Sequence, residues 1–290
     1  MDEYLTSFRE MISLRGLTDH TIKSYTTYIK AYLDYLQHDL HKCPEEVTWQ
    51  ELRTFVLVLQ KKRKLSDRTM NHCISQLRFF TLYVLHKPWD YYQLPLRKFD
   101  SYLPYVPARD EVASFISTIH DLKLKTMVAL MYSAGLRIGE VSRLKYQDIH
   151  RKEMKIHVSK TKNRSDRYAI LSQHMLAMLT QYWFAYQKPK HWLFSQPRNK
   201  DKPIDSQTIS RQFNQHRATF QFHQKITCHS LRHAFGTHLY EDGTDLLTIK
   251  ALLGHKSLNS TTIYVTLASN GVGQVISPFD AMGGLNNGKI

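Results

Sequence analysis

Cysteine is scarce in this chain, and its three copies, Cys43, Cys73 and Cys228, are widely spaced and odd in number. Such a count excludes a disulfide framework and offers no zinc-ligand spacing; it reads as the reduced thiols of a cytoplasmic protein. Long apolar runs are missing too. The most apolar stretch, residues 127–136, is too short to cross a bilayer, which takes about 20 residues, so no membrane partner is expected. The opening Met-Asp-Glu-Tyr-Leu lacks the basic and apolar regions of a secretory signal. Acidic residues are outnumbered, 25 Asp/Glu against 40 Lys/Arg, for a net charge of +15. A cytoplasmic enzyme of small anions has no need of that excess, whereas a polyanion partner would complement it.

The charge is also uneven. Residues 1–108 hold 15 Lys/Arg against 12 Asp/Glu, and residues 109–290 hold the other 25 against 13, a net +12. With 42% hydrophobic and 22% charged residues over 290 positions, the chain is long enough for one large or two ordinary globular domains.

Helical periodicity dominates the first part. Ile22, Tyr25, Ile29, Leu33 and Leu36 share one helix face after Thr18, a candidate N-cap. A second amphipathic stretch runs over 47–60, and a third starts at Ser66 and carries Met70, Ile74, Leu77 and Val84. A basic run, Lys61 to Lys64, marks one connection. Pro88, Pro95, Pro104 and Pro107 then interrupt any helical register, as in an interdomain linker. Helices resume near Arg109, with 127–132 apolar on all faces and therefore buried. Residues 154–159 alternate as a strand, 160–166 are a polar loop, and 167–171 return as a second strand. Further helices are expected at 172–186, 206–220, 229–241, 245–253 and 259–267, with Gly243 and Gly254 as stops. The glycine-containing final twenty residues, almost without charge, are expected to be mobile or to order only by docking.

The chemistry concentrates late in the chain. His-Ser-Leu-Arg-His (229–233) puts His229, Arg232 and His233 on one helix face, while Leu231, Ala234, Phe235 and Leu239 bury the other side. A His-x-x-x-His metal helix is a poor fit, because the general-base glutamate is missing and an arginine in the same turn repels a divalent cation. Leu-Gly-His (253–255) and Thr-Thr-Ile-Tyr (261–264) follow, and Ala-Gly-Leu-Arg-Ile-Gly-Glu (134–140) stands far upstream. Two arginine forks are suited to grip the non-bridging oxygens of one phosphate and to stabilise charge as it builds in a pentacoordinate transition state. Tyr264, on a short polar helix expected to carry its phenol to solvent, is the candidate nucleophile, activated by neighbouring cations. No metal, nucleotide loop or other cofactor is required.

His-x-x-Arg-His, Leu-Gly-His, a tyrosine nine residues on and an upstream Gly-Leu-Arg-Ile-Gly-Glu closely resemble the motifs of tyrosine recombinases, the phage-type integrases, and of their compact Xer-like members in particular. The resemblance is strong over 109–267 and looser before it. It implies a mainly α fold with a small β-sheet: an N-terminal helical bundle (a SAM-like core-binding domain, 1–90), a linker (91–108), a mixed α/β catalytic domain (109–270) and a C-terminal tail (271–290) that is flexible or docks on a partner. It also implies the roles. Arg137 and Arg232 match the phosphate-clamping arginines, His229 the proton-transfer histidine, and His255 the histidine that hydrogen-bonds the scissile phosphate. Tyr264 matches the nucleophile that forms a 3′-phosphotyrosyl link. A hairpin lysine that protonates the leaving 5′-oxygen is matched by Lys162, with Lys160 its rival. Glu140 matches an acidic position that orients the arginine region.

The implied partner is double-stranded DNA, bound by a dimer on each site and a tetramer in the synapse, of one chain or with a second recombinase, in the nucleoid of the cytoplasm. Strand exchange would pass through a Holliday junction. With no room before Thr18 for an arm-binding domain, contacts to core sites alone are expected. Two other readings share parts of this inventory: a type IB topoisomerase-like enzyme that relaxes supercoils, and a non-catalytic DNA-binding regulator on the same fold. The Val-Thr after Tyr264, where Xer relatives often place Thr-His, and the Ser-Pro-Phe-Asp of the tail (277–280) depart from the family pattern.

Overall fold

The computed structural model describes residues 1–17, 19–100, 102–159, 166–219 and 224–268. Thr18, Lys160, Lys162 and the expected tail at 271–290 therefore lie outside the described residues. Chain contacts divide the protein into one unit of Met1–Tyr102 and a second from Leu103 onward.

The first unit is a bundle of α1 (Asp2–Leu14), α2 (Asp19–Tyr35), α3 (Trp49–Arg63) and α4 (Asp67–Tyr83). The starts of α3 and α4 are written in local chemistry. Thr48 accepts from the Glu51 amide while the Glu51 carboxylate accepts from the Thr48 amide at 2.9 Å, a reciprocal cap that satisfies two orphan N–H groups. Ser66 caps α4 through the Thr69 amide. Phe8, Ile29, Leu36, Phe55, Met70 and Phe80 meet in its core. Helix α1 begins before the periodicity was read, although Leu5, Phe8 and Ile12 have the spacing of a buried helix stripe. Much of the segment expected as linker packs with this unit. Leu94 is buried in its core, the Asn71 side chain brackets the backbone of Arg97 at 2.8 and 2.9 Å, and Arg97 pairs with Asp67 at 2.9 Å.

The second unit is built around α6 (Leu122–Ser133), which packs against α5 (Arg109–Ser117), α7 (Ile138–Ser142), α8 (Gln173–Ala185), α9 (Ser206–Thr219) and α10 (Cys228–Glu241). Leu124, Met127, Val128, Leu130 and Met131 of α6 are all buried. Each contributes roughly 1.5–3 kcal/mol, which outweighs propensity differences below about 1 kcal/mol per residue. A three-stranded antiparallel sheet, β1 (Ile149–His150), β2 (Lys155–Val158) and β3 (Arg167–Ile170), lies in that order. Ile156 pairs with Ala169 and Val158 with Arg167, so these four side chains face inward while His157 and Tyr168 face out. The two-residue β1 carries too little pattern to be read from sequence. Helices α11 (Leu246–Leu253) and α12 (Ile263–Leu267) close the unit, joined by a 3-10 turn at Leu258–Ser260 where a single helix over 259–267 was expected. No helix among the described residues is long and apolar enough to cross a membrane.

Candidate active site

The site forms where three chain turns converge on α10. Thr227 caps α10 by accepting from the Ser230 amide at 2.9 Å, which sets His229, Arg232, His233 and Gly236 along one face. Arg232 points inward and is 2% exposed. Its guanidinium donates to the carbonyls of Gly135 and Leu253, the latter at 2.5 Å.

Both acceptors are made available by glycine. Gly135 has φ +60°, and a Cβ there would stand 2.5 Å from Phe235, so only glycine lets α6 stop and offer a carbonyl to Arg232. Two residues on, Arg137 becomes the N-cap of α7, and Glu140 returns its carboxylate to the Arg137 amide and guanidinium, each at 2.8 Å. At the other turn Gly254, φ +64°, ends α11, and a Cβ there would meet Arg167 at 2.6 Å. The last α11 carbonyls then face two guanidinium groups: Leu252 accepts from Arg167 at 2.8 Å and Leu253 from Arg232. Cations at the negative end of a helix satisfy its orphan carbonyls and its dipole together.

Glu140 is the carboxylate at the centre. Arg167 holds both its oxygens, at 3.0 and 2.9 Å, Arg137 bonds one, and Arg232 stands 3.9 Å away. Burial pushes its carboxyl up, but the Arg167 hydrogen bonds and the charges of Arg167 and Arg137 outweigh that and hold it below the usual range. Three arginines around one carboxylate give this cluster a net positive charge. Burial, then repulsion from Arg137, brings Arg232 down to about 9, still cationic at neutral pH. A cavity of about 530 Å³ lies alongside, lined by Arg167, Lys250, His255 and Lys256 among others.

Tyr264 corrects one expectation. Its phenol is not carried out to solvent by a polar helix; the residue is 1% exposed. Ile263 and Leu267 of α12 pack with Phe235, Ile249 and Leu253, and Thr261 is buried, so the short helix lies against the core. The ring fits over Gly236, where a Cβ would come within 2.5 Å of Cζ. It lies between His233 and His255, with ring centroids at 6.1 and 6.2 Å. Burial raises its pKa, while the charges of Arg232 and Arg137 pull it back down.

The histidines are held neutral. His255 shares a 3.0 Å hydrogen bond with the Thr261 hydroxyl, and burial followed by the Arg232 and Arg137 charges lowers its pKa to about 4. Burial and then His229 lower His233 to about 4 as well, and its buried Nδ1 has no hydrogen-bond partner among the described residues. The ring of His229 meets that of His233 edge-on at 4.4 Å. Although the residue reaches the surface, its surroundings and the charges of Arg232 and Arg137 lower its pKa.

Depressed imidazoles give a stability prediction with a definite sign. Between about pH 6.5, where a free histidine titrates, and about 4, where His233 and His255 do, the unfolded chain binds more protons. Stability therefore falls as the pH is lowered through that window, before the loss that follows protonation of Glu140. Thermal unfolding is expected to show the midpoint dropping from pH 7 to 5; a level midpoint contradicts the depressed values.

Five of the six expected site residues, Arg137, His229, Arg232, His255 and Tyr264, thus lie in one cluster, with Glu140 at its centre. The sixth, Lys162, lies outside the described residues, as does Lys160. Arg167 was missed as a member of the site. Its signal was its inward position on β3, in register with Ala169 and Leu171, because an arginine facing a core needs a buried partner. His233 was read only as part of the helix face. Among the described residues no group of three or more His, Cys, Asp or Glu is placed to hold a metal ion.

Fold and site together define a tyrosine recombinase. Residues 108–270 match the phage integrase family and residues 4–91 its N-terminal SAM-like domain. A Sinorhizobium fredii protein named as the integrase/recombinase y4qK is 34% identical over 94% of this chain and 87% of its own length. The tyrosine recombinase XerA of Pyrococcus horikoshii is 27% identical over 94% of this chain and 92% of that one. In three dimensions, the Tn1549 transposon integrase in complex with circular intermediate DNA superposes with a TM-score of 0.72 at 17% identity, covering 97% and 98% of the two chains. The chain belongs to the phage integrase family.

Proposed function

We propose that this protein is a site-specific recombinase that cuts and rejoins double-stranded DNA. The observation that supports this most is the cluster itself: three guanidinium groups against one carboxylate beside a buried tyrosine. The +12 excess beyond residue 108 fits a phosphate backbone, and the Tn1549 integrase, with a similar fold, is bound to DNA.

In the proposed reaction the scissile phosphate lies against the net positive charge of the Arg137–Arg232 cluster. The Tyr264 oxygen attacks phosphorus and its proton leaves to a neighbouring base. A P–O bond forms to the phenol while the bond to the 5′-oxygen breaks. Lys162 supplies the proton that makes the leaving group a 5′-hydroxyl. The guanidinium forks and His255, a hydrogen-bond donor when neutral in the right tautomer, stabilise the charge that develops on the non-bridging oxygens. His229 transfers or holds a proton at the same phosphate. Rejoining is the reverse attack by a 5′-hydroxyl from another strand. Dimers on each site, a tetrameric synapse and a Holliday junction complete the scheme, on nucleoid DNA.

A nicked half-site, from which the short cut strand diffuses away, is expected to trap a covalent protein–DNA adduct in the presence of EDTA. Adduct that forms only after a divalent ion is restored would contradict the arginine mechanism. Exchange of strands between two defined sites, without general relaxation of supercoiled plasmid, separates a recombinase from a topoisomerase-like enzyme. Relaxation without exchange would favour the latter.

A further inference from the structure

On the outer face of the sheet, both ring nitrogens of His157 face carboxylates. Nε2 lies 3.2 Å from the Asp166 Oδ2, and Nδ1 lies 3.6 Å from the Asp148 Oδ1. Asp148 is buried, and its other oxygen accepts from the Lys145 amide at 2.8 Å, which fixes it in the turn before β1. Asp166 is exposed and immediately precedes Arg167, the residue that holds Glu140 and the end of α11. It is also where the chain re-enters the sheet after the connection that carries Lys162.

Among the described residues, the neighbouring rings are His150 on β1 and Tyr168 on β3, with centroids 6.4 and 5.4 Å from that of His157, and Lys155 sits over Tyr168. Only a protonated imidazole donates from both nitrogens. The neutral ring satisfies one aspartate and turns a lone pair toward the other. A charged imidazole placed between two carboxylates ties them together across the sheet face.

From this geometry we infer that His157 is a positioning residue: its bridge from the fixed Asp148 to Asp166 sets the stem of the β2–β3 hairpin and, with it, delivery of the proton to the leaving 5′-oxygen. The inference rests on the proposed recombinase chemistry. It deepens that chemistry by making strand cleavage depend on an imidazole that does not touch the phosphate.

The test is single-turnover adduct formation by the full chain on two nicked half-sites. One has the ordinary 5′-oxygen at the scissile bond; the other has sulfur there, a leaving group that needs no proton. A positioned general acid contributes about 10²–10⁴-fold to a rate, so its partial misplacement in H157Q is expected to cost about tenfold on the oxygen substrate. The deficit belongs to the step that needs a proton. On the sulfur substrate it nearly disappears.

D166N is expected to reproduce both results. An H157Q rate that matches wild type on the oxygen substrate overturns the inference, and so does an equal loss on both substrates, which marks a general structural defect. Lys162→Ala, run alongside, keeps the two readings apart. Its rescue by sulfur upholds the lysine assignment whatever His157 does. Failure of that rescue removes the lysine assignment and the route proposed for His157 together.

Discussion

Tyr264→Phe is expected to form no covalent adduct on the nicked half-site while still binding the same DNA. The substitution removes one oxygen and leaves the ring, and the ring is what the fold uses. It covers Gly236, sits between His233 and His255, and joins the small core of Phe235, Ile249 and Leu253. Affinity is expected to change by less than about threefold, because phosphate contacts by Lys and Arg dominate nucleic-acid binding and none of them is touched. Gel-shift titration beside denaturing electrophoresis of the trapped species reads both quantities. The protein has 17 tyrosines, so the result is discriminating: adduct persisting at another tyrosine would remove Tyr264 as the nucleophile.

Arg232→Lys is expected to lose cleavage by at least 10²-fold, the scale of roughly 3–4 kcal/mol that accompanies removal of one oxyanion-stabilising donor. Lysine keeps the positive charge but replaces a planar fork by a single point, and here the fork is engaged on both arms, to the carbonyls of Gly135 and Leu253. The same geometry separates a catalytic loss from an unfolded protein. Arg232→Ala leaves those two buried carbonyls without their donor, at about 1–3 kcal/mol each, and is expected to lower the thermal midpoint as well as the rate. Lysine is expected to lose mainly the rate. Single-turnover cleavage within threefold of wild type for a folded Arg232→Lys would refute the clamp.

The local elements were legible because their causes are local. The amphipathic stretch over 47–60, the helix start at Ser66, the apolar character of α6 and the alternation in β2 and β3 all act within a few turns or a strand. The elements misjudged fall at the limits of that logic. The β1 strand is two residues long, and the 3-10 break at Leu258–Ser260 splits what reads as one polar helix. The motif residues were legible as an inventory, since His229, Arg232, His255 and Tyr264 recur at spacings with few other uses. Their roles in catalysis were legible only through the family resemblance.

By itself, the order of residues determined which side chains are available for phosphate chemistry, which way the net charge points, and where many of the helices lie. Tertiary structure alone decided that Arg167 joins the site, that Tyr264 is buried over Gly236, and that the carbonyls ending α11 are claimed by two arginines. The reason is one of range. A cap or an amphipathic face is settled among residues a few positions apart, whereas Glu140, Arg167, Arg232 and Tyr264 meet only after the core beneath them has packed. Their protonation and charge balance depend on how much water that packing removes.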